Sequence, residues 1–296
     1  MPAPPPTPTR AVPIGSEGLR LGVWRSGEAG PSIVFVHGFP DTHTVWDAVI
    51  ARLSDRFRCI AYDVRGAGAS DAPPTREGYR LSHLVTDLVA VLDSQSPDEP
   101  AHLVAHDWGS IQAWDAVVRE SSDNRLQGRI ASYTSISGPS LHHVDAYVGA
   151  ARRGGWQRKR QALGQLRHSW YVYAFHLPVL PELFLRASSA LLLRRSGGRR
   201  PHVADTLPRD AVNGLELYRA NVFHREPVPG GPRTSLPVQL VVPLRDRYVT
   251  PSLLRDVHRF AADLTRVEVD AGHWVARSHP DELASYVDGF VTGSTT

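Results

Sequence analysis

The chain has 296 residues, of which 42% are apolar and 21% charged, a composition that excludes a largely disordered or collagen-like protein and permits a sizeable buried core. Its formal net charge is only +3, and the sequence pI of about 9.2 reflects arginine usage, since Lys159 is the sole lysine among the 33 basic residues; neither figure calls for a nucleic-acid partner. A single cysteine, Cys59, rules out an internal disulfide and a thiolate metal site.

Residues 1–12 are proline-rich and polar and predict a loose tail. They do not pair a charged region with an apolar one, and no later stretch approaches the ~18 consecutive apolar residues of a spanning helix, so a soluble, cytoplasmic protein is expected. From Ile33 a short apolar run, a turn and a helical period recur. Buried parallel strands are predicted at 33–36, 59–62, 102–105 and 131–136, separated by helices near 44–53, 81–92 and 111–119. After Gly138-Pro139 the pattern becomes helical with arginine clusters and Pro/Gly breaks, and strand character returns only at 238–242 and 266–269, with helices near 252–262 and 281–291. The expected organisation is an α/β core in two segments, 13–138 and 232–296, interrupted by a helical cap over 139–231.

Within Leu103-Val104-Ala105-His106-Asp107-Trp108-Gly109 an apolar strand runs into a tight turn and then a helical pattern. Small residues at Ala105 and Gly109 suit the close strand–helix packing of a nucleophile elbow, with aspartate at its tip in place of serine. A carboxylate there can serve as a covalent nucleophile, or as an ordinary N-cap. On this stretch alone the two readings stand level.

Taken together, the motifs resemble those of the α/β-hydrolases, and within them the soluble epoxide hydrolases with an aspartate nucleophile. The resemblance extends from about Arg20 over nearly the whole chain. It rests on His37-Gly38-Phe39-Pro40, on Asp63-Val64-Arg65-Gly66-Ala67-Gly68-Ala69-Ser70 and on His106-Asp107-Trp108-Gly109, with Ala105 where the family usually carries glycine. It implies an α/β-hydrolase fold, a mostly parallel sheet flanked by helices, with an inserted helical cap. It also implies Asp107 as nucleophile, with Asp246 and His273 completing the triad from the ends of later strands. His168-Ser169-Trp170-Tyr171-Val172-Tyr173-Ala174-Phe175-His176-Leu177-Pro178 and Leu217-Tyr218-Arg219-Ala220-Asn221 resemble the two cap-tyrosine segments, assigning Tyr171 and Tyr218 to the epoxide oxygen, with Tyr173 the nearest competitor for the first role. Backbone N–H groups of Phe39 and Trp108 fall where the family places its oxyanion hole, and the side chains of Phe39, Trp108 and Trp274 would line the substrate pocket. His37 and His106 read as structural.

The implied reaction converts a small apolar epoxide and water to a vicinal diol, with no cofactor and no metal. Alternatives are a haloalkane dehalogenase using the same triad, with Trp108 and Trp170 as conceivable halide donors, and a non-catalytic ligand-binding protein on the same scaffold. A fluoroacetate-type dehalogenase would want arginine beside the elbow, and Ser110-Ile111-Gln112 has none. Leu177, Leu180, Leu183 and Phe184 suggest an apolar pocket within the cap. The arginine clusters at 152–160 and 194–200, the second beside Leu191-Leu192-Leu193, read as solvated cap surface in preference to a membrane-binding element. A homodimer is compatible with the sequence. The chain further resembles the hydrolase half of actinobacterial proteins in which an epoxide hydrolase is joined to a short-chain dehydrogenase.

Overall fold

The computed structural model describes residues 9–10, 13–196 and 204–293. Its strands are β1 (Thr9–Arg10), β2 (Ile14–Ser16), β3 (Leu19–Leu21), β4 (Val23–Ser26), β5 (Ser32–Val36), β6 (Arg58–Tyr62), β7 (Ala101–His106), β8 (Ile130–Ile136), β9 (Val238–Pro243) and β10 (Leu264–Val269). β2 and β3 form a separate hairpin, and the remaining eight form one sheet in the order β1-β4-β6-β5-β7-β8-β9-β10. From β6 to β10 every pairing is parallel, and β4 and β1 add an antiparallel edge. The crossover helices needed to join parallel strands supply the cover for both faces of the sheet.

The pleat divides each strand between two cores. Val34, Val36, Leu103, Ala105, Leu240 and Val242 face helices Leu81–Gln95 and Trp108–Arg119, whereas Ile33, Phe35, Val104, Val241 and Val269 face helices Asp47–Leu53 and Pro280–Gly293. Strands buried on both faces carry the continuous apolar runs that made them visible in the sequence. The short polar strands β1–β4 had no such signal, and two residues of the proline-rich tail, Thr9 and Arg10, pair with Arg25 and Trp24.

Between β8 and β9 the regular elements of the described residues are all helical, from Leu141–Arg153 to Leu215–Asn221. One predicted helix is absent: residues 252–262 form successive turns with a short 3₁₀ segment, Val257–Arg259. All but one of the backbone hydrogen bonds within that stretch span three residues, as from Arg255 to Ser252 and from Phe260 to Val257. Thr250 and Ser252 also bond to each other, and Thr250 to Gln165 of the cap. Side-chain bonding of this kind competes with a helix, and Leu253, Leu254 and Val257 reach the core from turns as well as they would from one.

Candidate active site

Asp107 occupies the sharp corner between β7 and helix Trp108–Arg119, with φ 53° and ψ −123°. That conformation is costly for a residue with a side chain and persists only where the surroundings enforce it. Three glycines make room for the corner. A Cβ on Gly109 would meet the Val36 carbonyl oxygen at 2.3 Å, one on Gly138 the Asp107 carbonyl oxygen at 2.2 Å, and one on Gly38 the Asp107 side chain at 2.4 Å. The corner thereby lifts a nearly buried carboxylate out of the sheet and holds it against the loop after β5.

Asp107 Oδ1 accepts a 2.7 Å hydrogen bond from the Phe39 N–H, and the Trp108 N–H also bonds to this carboxylate. Two amides therefore already converge on the Asp107 carboxylate. His273, in the loop after β10, sets its Nε2 3.6 Å from Asp107 Oδ2 and donates from Nδ1 to Asp246 Oδ2 at 2.9 Å. Asp246, in the loop after β9, is fixed by the N–H groups of Tyr248 at 2.7 Å and Val249 at 3.1 Å. Burial opposes charge on His273, but its hydrogen bonds to Asp107 and Asp246 prevail and raise its pKa to about 10. Burial likewise opposes charge on Asp107 and Asp246, and the bonds from His273 outweigh it and hold both below the ordinary carboxylate value.

His106 donates from Nε2 to the His273 carbonyl at 2.9 Å, and burial lowers its pKa to about 4, so this ring stays neutral and braces the loop that carries His273. His37 is similarly tied down, donating from Nδ1 to the Gly38 carbonyl and accepting from the Val64 N–H, both at 2.9 Å. Asp63 anchors the same region: it receives the His43 N–H at 2.8 Å and the Ala69 N–H at 2.7 Å, and a Cβ on Gly68 would strike its carboxylate.

The cap brings two phenols over the carboxylate. Tyr171 lies on the short helix Trp170–Ala174 and Tyr218 on Leu215–Asn221, with ring centroids 6.0 Å apart. Their hydroxyl groups interact with each other, and that of Tyr218 also with the Trp108 indole. Burial is the main cause that raises both phenol pKa values, and the Asp107 charge adds to it, so both remain protonated donors. Asn221 secures the second helix by accepting from the Leu81 N–H and donating to the Tyr79 carbonyl, at 3.0 and 2.8 Å. Arg219 ties the first to it, donating to the carbonyls of Phe175 and Leu177 and to Glu182 and Glu216. Tyr173 is 54% exposed and packs on Phe223, so of the two candidates Tyr171 is the one that reaches Tyr218 and Asp107.

Two cavities meet at Asp107, Tyr171, Tyr218 and Tyr248. One, of about 490 Å³, opens past Phe39, Trp274, Arg167, Trp170, Phe184 and Arg247. The other, of about 180 Å³, is lined by Ile111, Leu141, Val144, Val172, Val222 and Leu253. Trp274 is held by a 2.9 Å bond from its indole to Asp41. Tyr248 and Phe175 were missed in the sequence. Tyr248 packs on His273 and Tyr171, with centroids 4.8 and 5.6 Å away, and its one sequence signal is that it lies two residues beyond Asp246. Of the four cap residues expected to make an apolar pocket, only Phe184 lines a cavity beside Asp107; Leu177, Leu180 and Leu183 face solvent. They sit on the outer side of the helix and loop, away from Leu185, which lines the larger cavity. Among the described residues there is no group of three or more His, Cys, Asp or Glu able to hold a metal ion, and no helix long and apolar enough to cross a membrane.

A parallel sheet with a strained nucleophile corner and an acid and histidine on later strand ends defines the α/β-hydrolase architecture. The family profile of the α/β-hydrolase fold matches residues 31–280, and the chain belongs to that family. Among its relatives, "Probable oxidoreductase EphD" of Mycobacterium tuberculosis is 37% identical over 287 residues; the match takes in 93% of this chain, which spans about half (48%) of that relative's length. "Epoxide hydrolase A" of the same organism is 26% identical, with 95% of this chain and 96% of the relative covered. The crystal structure of a Bacillus megaterium epoxide hydrolase with an inhibitor superposes with a TM-score of 0.76 at 20% identity, covering 95% of this chain and all of the other.

Proposed function

We propose that the protein hydrolyses an apolar epoxide to a vicinal diol through an ester on Asp107. The observation that carries this reading is the pairing of a preformed Asp107–His273–Asp246 relay with two protonated phenols on the opposite side of the same cavity. Asp107 attacks a ring carbon, a carbon–oxygen bond of the ring breaks, and the oxygen takes a proton from Tyr171 or Tyr218. Ester formation removes one of the two carboxylate charges that raise the His273 pKa, so the imidazole releases its proton to solvent and becomes a competent base. It then takes a proton from water, whose oxygen attacks the Asp107 carbonyl carbon. The tetrahedral oxyanion is held by the Phe39 and Trp108 N–H groups; its collapse expels the diol oxygen, which receives the proton from His273. The proton left on Asp107 restores the tyrosine, His273 takes back a proton from solvent to restore the resting pair, and the sum is epoxide plus water to diol.

Cavities on both sides of the nucleophile favour an epoxide with a substituent on each ring carbon, the apolar one seated among Ile111, Val172 and Leu253. That a relative is named "Epoxide hydrolase A" and a structural neighbour an epoxide hydrolase supports the epoxide as substrate class. A dehalogenase would keep indole donors free for halide, whereas the Trp108 indole is engaged with Tyr218 and Trp170 is 66% exposed at the cavity mouth. The test is His273→Gln, incubated with epoxides and haloalkanes and weighed intact. A mass gain equal to the whole epoxide, mapped to Asp107, is the expected result. A gain of haloalkane less hydrogen halide would replace the assignment with dehalogenation, and an unmutated protein inert toward every epoxide while its variant gains no mass would overturn it.

A further inference from the structure

We propose that the outer face of the cap docks on an anionic membrane surface, with the mouth of the larger cavity at the lipid boundary. Two helices carry the face. On Trp156–His168 the exposed residues Trp156, Arg160, Leu163 and Arg167 recur at i, i+4, i+7 and i+11, one side of a helix. On Leu180–Ser196 the exposed stripe is Leu180, Leu183, Phe184, Ala187 and Leu191. Because Arg167 and Phe184 border the same cavity opening, the two stripes meet there.

The exposure is large where a protein surface would ordinarily be polar: Trp156 is 76% exposed and Phe184 67%. The charge around it has one sign. Between Asp145 and Glu182 the sequence holds Arg152, Arg153, Arg158, Lys159, Arg160 and Arg167 and no acidic residue, and Glu182 is engaged by Arg219 at 2.6 Å. Arg158 pairs with Asp256, whereas Lys159, Arg160 and Arg167 have no ion-pair partner among the described residues. Tryptophan and leucine alternating with cations, unaccompanied by carboxylates, suit the headgroup boundary of an anionic bilayer, where the apolar parts leave water and the cations meet phosphate. A protein partner of ordinary surface chemistry would leave these cations to be matched one by one.

The test is flotation of the full chain with vesicles of phosphatidylcholine alone and of an equimolar mixture with phosphatidylglycerol, at low and physiological salt. Partition into the anionic vesicles, weakened by salt, is expected. Lys159→Glu with Arg160→Glu should reduce it at least ~10-fold, as should Trp156→Ala with Leu163→Ser; unchanged circular dichroism and melting would show that both variants fold. Absence of flotation by the unmutated protein overturns the proposal irrespective of the variants, as does flotation that neither pair of substitutions alters. A dimer in solution that Trp156→Ala with Leu163→Ser dissolves, without flotation, assigns the face to a second copy instead. No substrate is involved, so failure here leaves the hydrolytic reading standing, and failure of that reading leaves this one.

Discussion

Two helices of nearly equal length show how differently the halves of the protein are held. Helix Trp108–Arg119 of the core buries ten of its twelve residues; helix Trp156–His168 of the cap buries one of thirteen, Gln165. The first is fixed by close packing, with Trp114 wholly enclosed and Gly109 pressed on the Val36 and His37 carbonyls. The second is fixed by directional polar bonds. Gln165 donates to the Tyr248 carbonyl at 2.7 Å and accepts from the Thr250 N–H at 3.0 Å. Asp107, His273 and the amides of Phe39 and Trp108 thus sit on a tightly packed frame, while the phenols come from a layer that a few hydrogen bonds align. Such a layer can change its lining and outer face without disturbing the corner at Asp107.

The comparison is tested most strongly where the cap meets the chemistry. Tyr218→Phe and Tyr171→Phe should each lower kcat by about 10² or more, the usual cost of losing one donor to a developing oxyanion, with little change in melting temperature. Tyr173→Phe should leave kcat within about twofold of wild type, since loss of an exposed hydroxyl removes no such donor. Equal effects at Tyr171 and Tyr173 would mean that the cap does not select between them.

The core relay makes a prediction in pH. His273 titrates at about 10 in the folded protein, against an ordinary value of 6.5, so the stability its charge contributes is complete below pH 6.5 and disappears as the pH rises through 10. The gap in melting temperature between wild type and His273→Gln should therefore narrow across that interval. A constant gap would show that the imidazolium is not held by Asp107 and Asp246. A smaller effect than those on the chemistry belongs to the seat of the cap: Gln165→Leu leaves the Tyr248 carbonyl and Thr250 amide without their partner and should cost about 1–3 kcal/mol, read by denaturant unfolding, with KM rising more than kcat falls. A loss too small to measure would show that the cap is seated by packing after all.

Legibility in the sequence follows the same division. Strands β5 to β9 announce themselves as apolar runs because both faces are buried, and the corner at Asp107 is visible because only small residues tolerate its crowding. Residues 252–262 misled because buried Leu253, Leu254 and Val257 imitate a helical period while Thr250 and Ser252 divert the hydrogen bonds. Tyr248 and Gln165 were invisible for another reason: each acquires its place only from contact with a segment some 80 residues away.

The amino-acid sequence by itself determined the β/α alternation, the strained corner and the kind of side chain available at each strand end, since these depend on local pattern and backbone sterics. Tertiary structure alone decided that Asp246 Oδ2 lies 2.9 Å from His273 Nδ1, that Tyr171 rather than Tyr173 turns inward, and that Leu180 and Leu183 remain on the surface. Those outcomes depend on which helix face meets the core once the chain has closed, and helical spacing offers several faces without choosing among them.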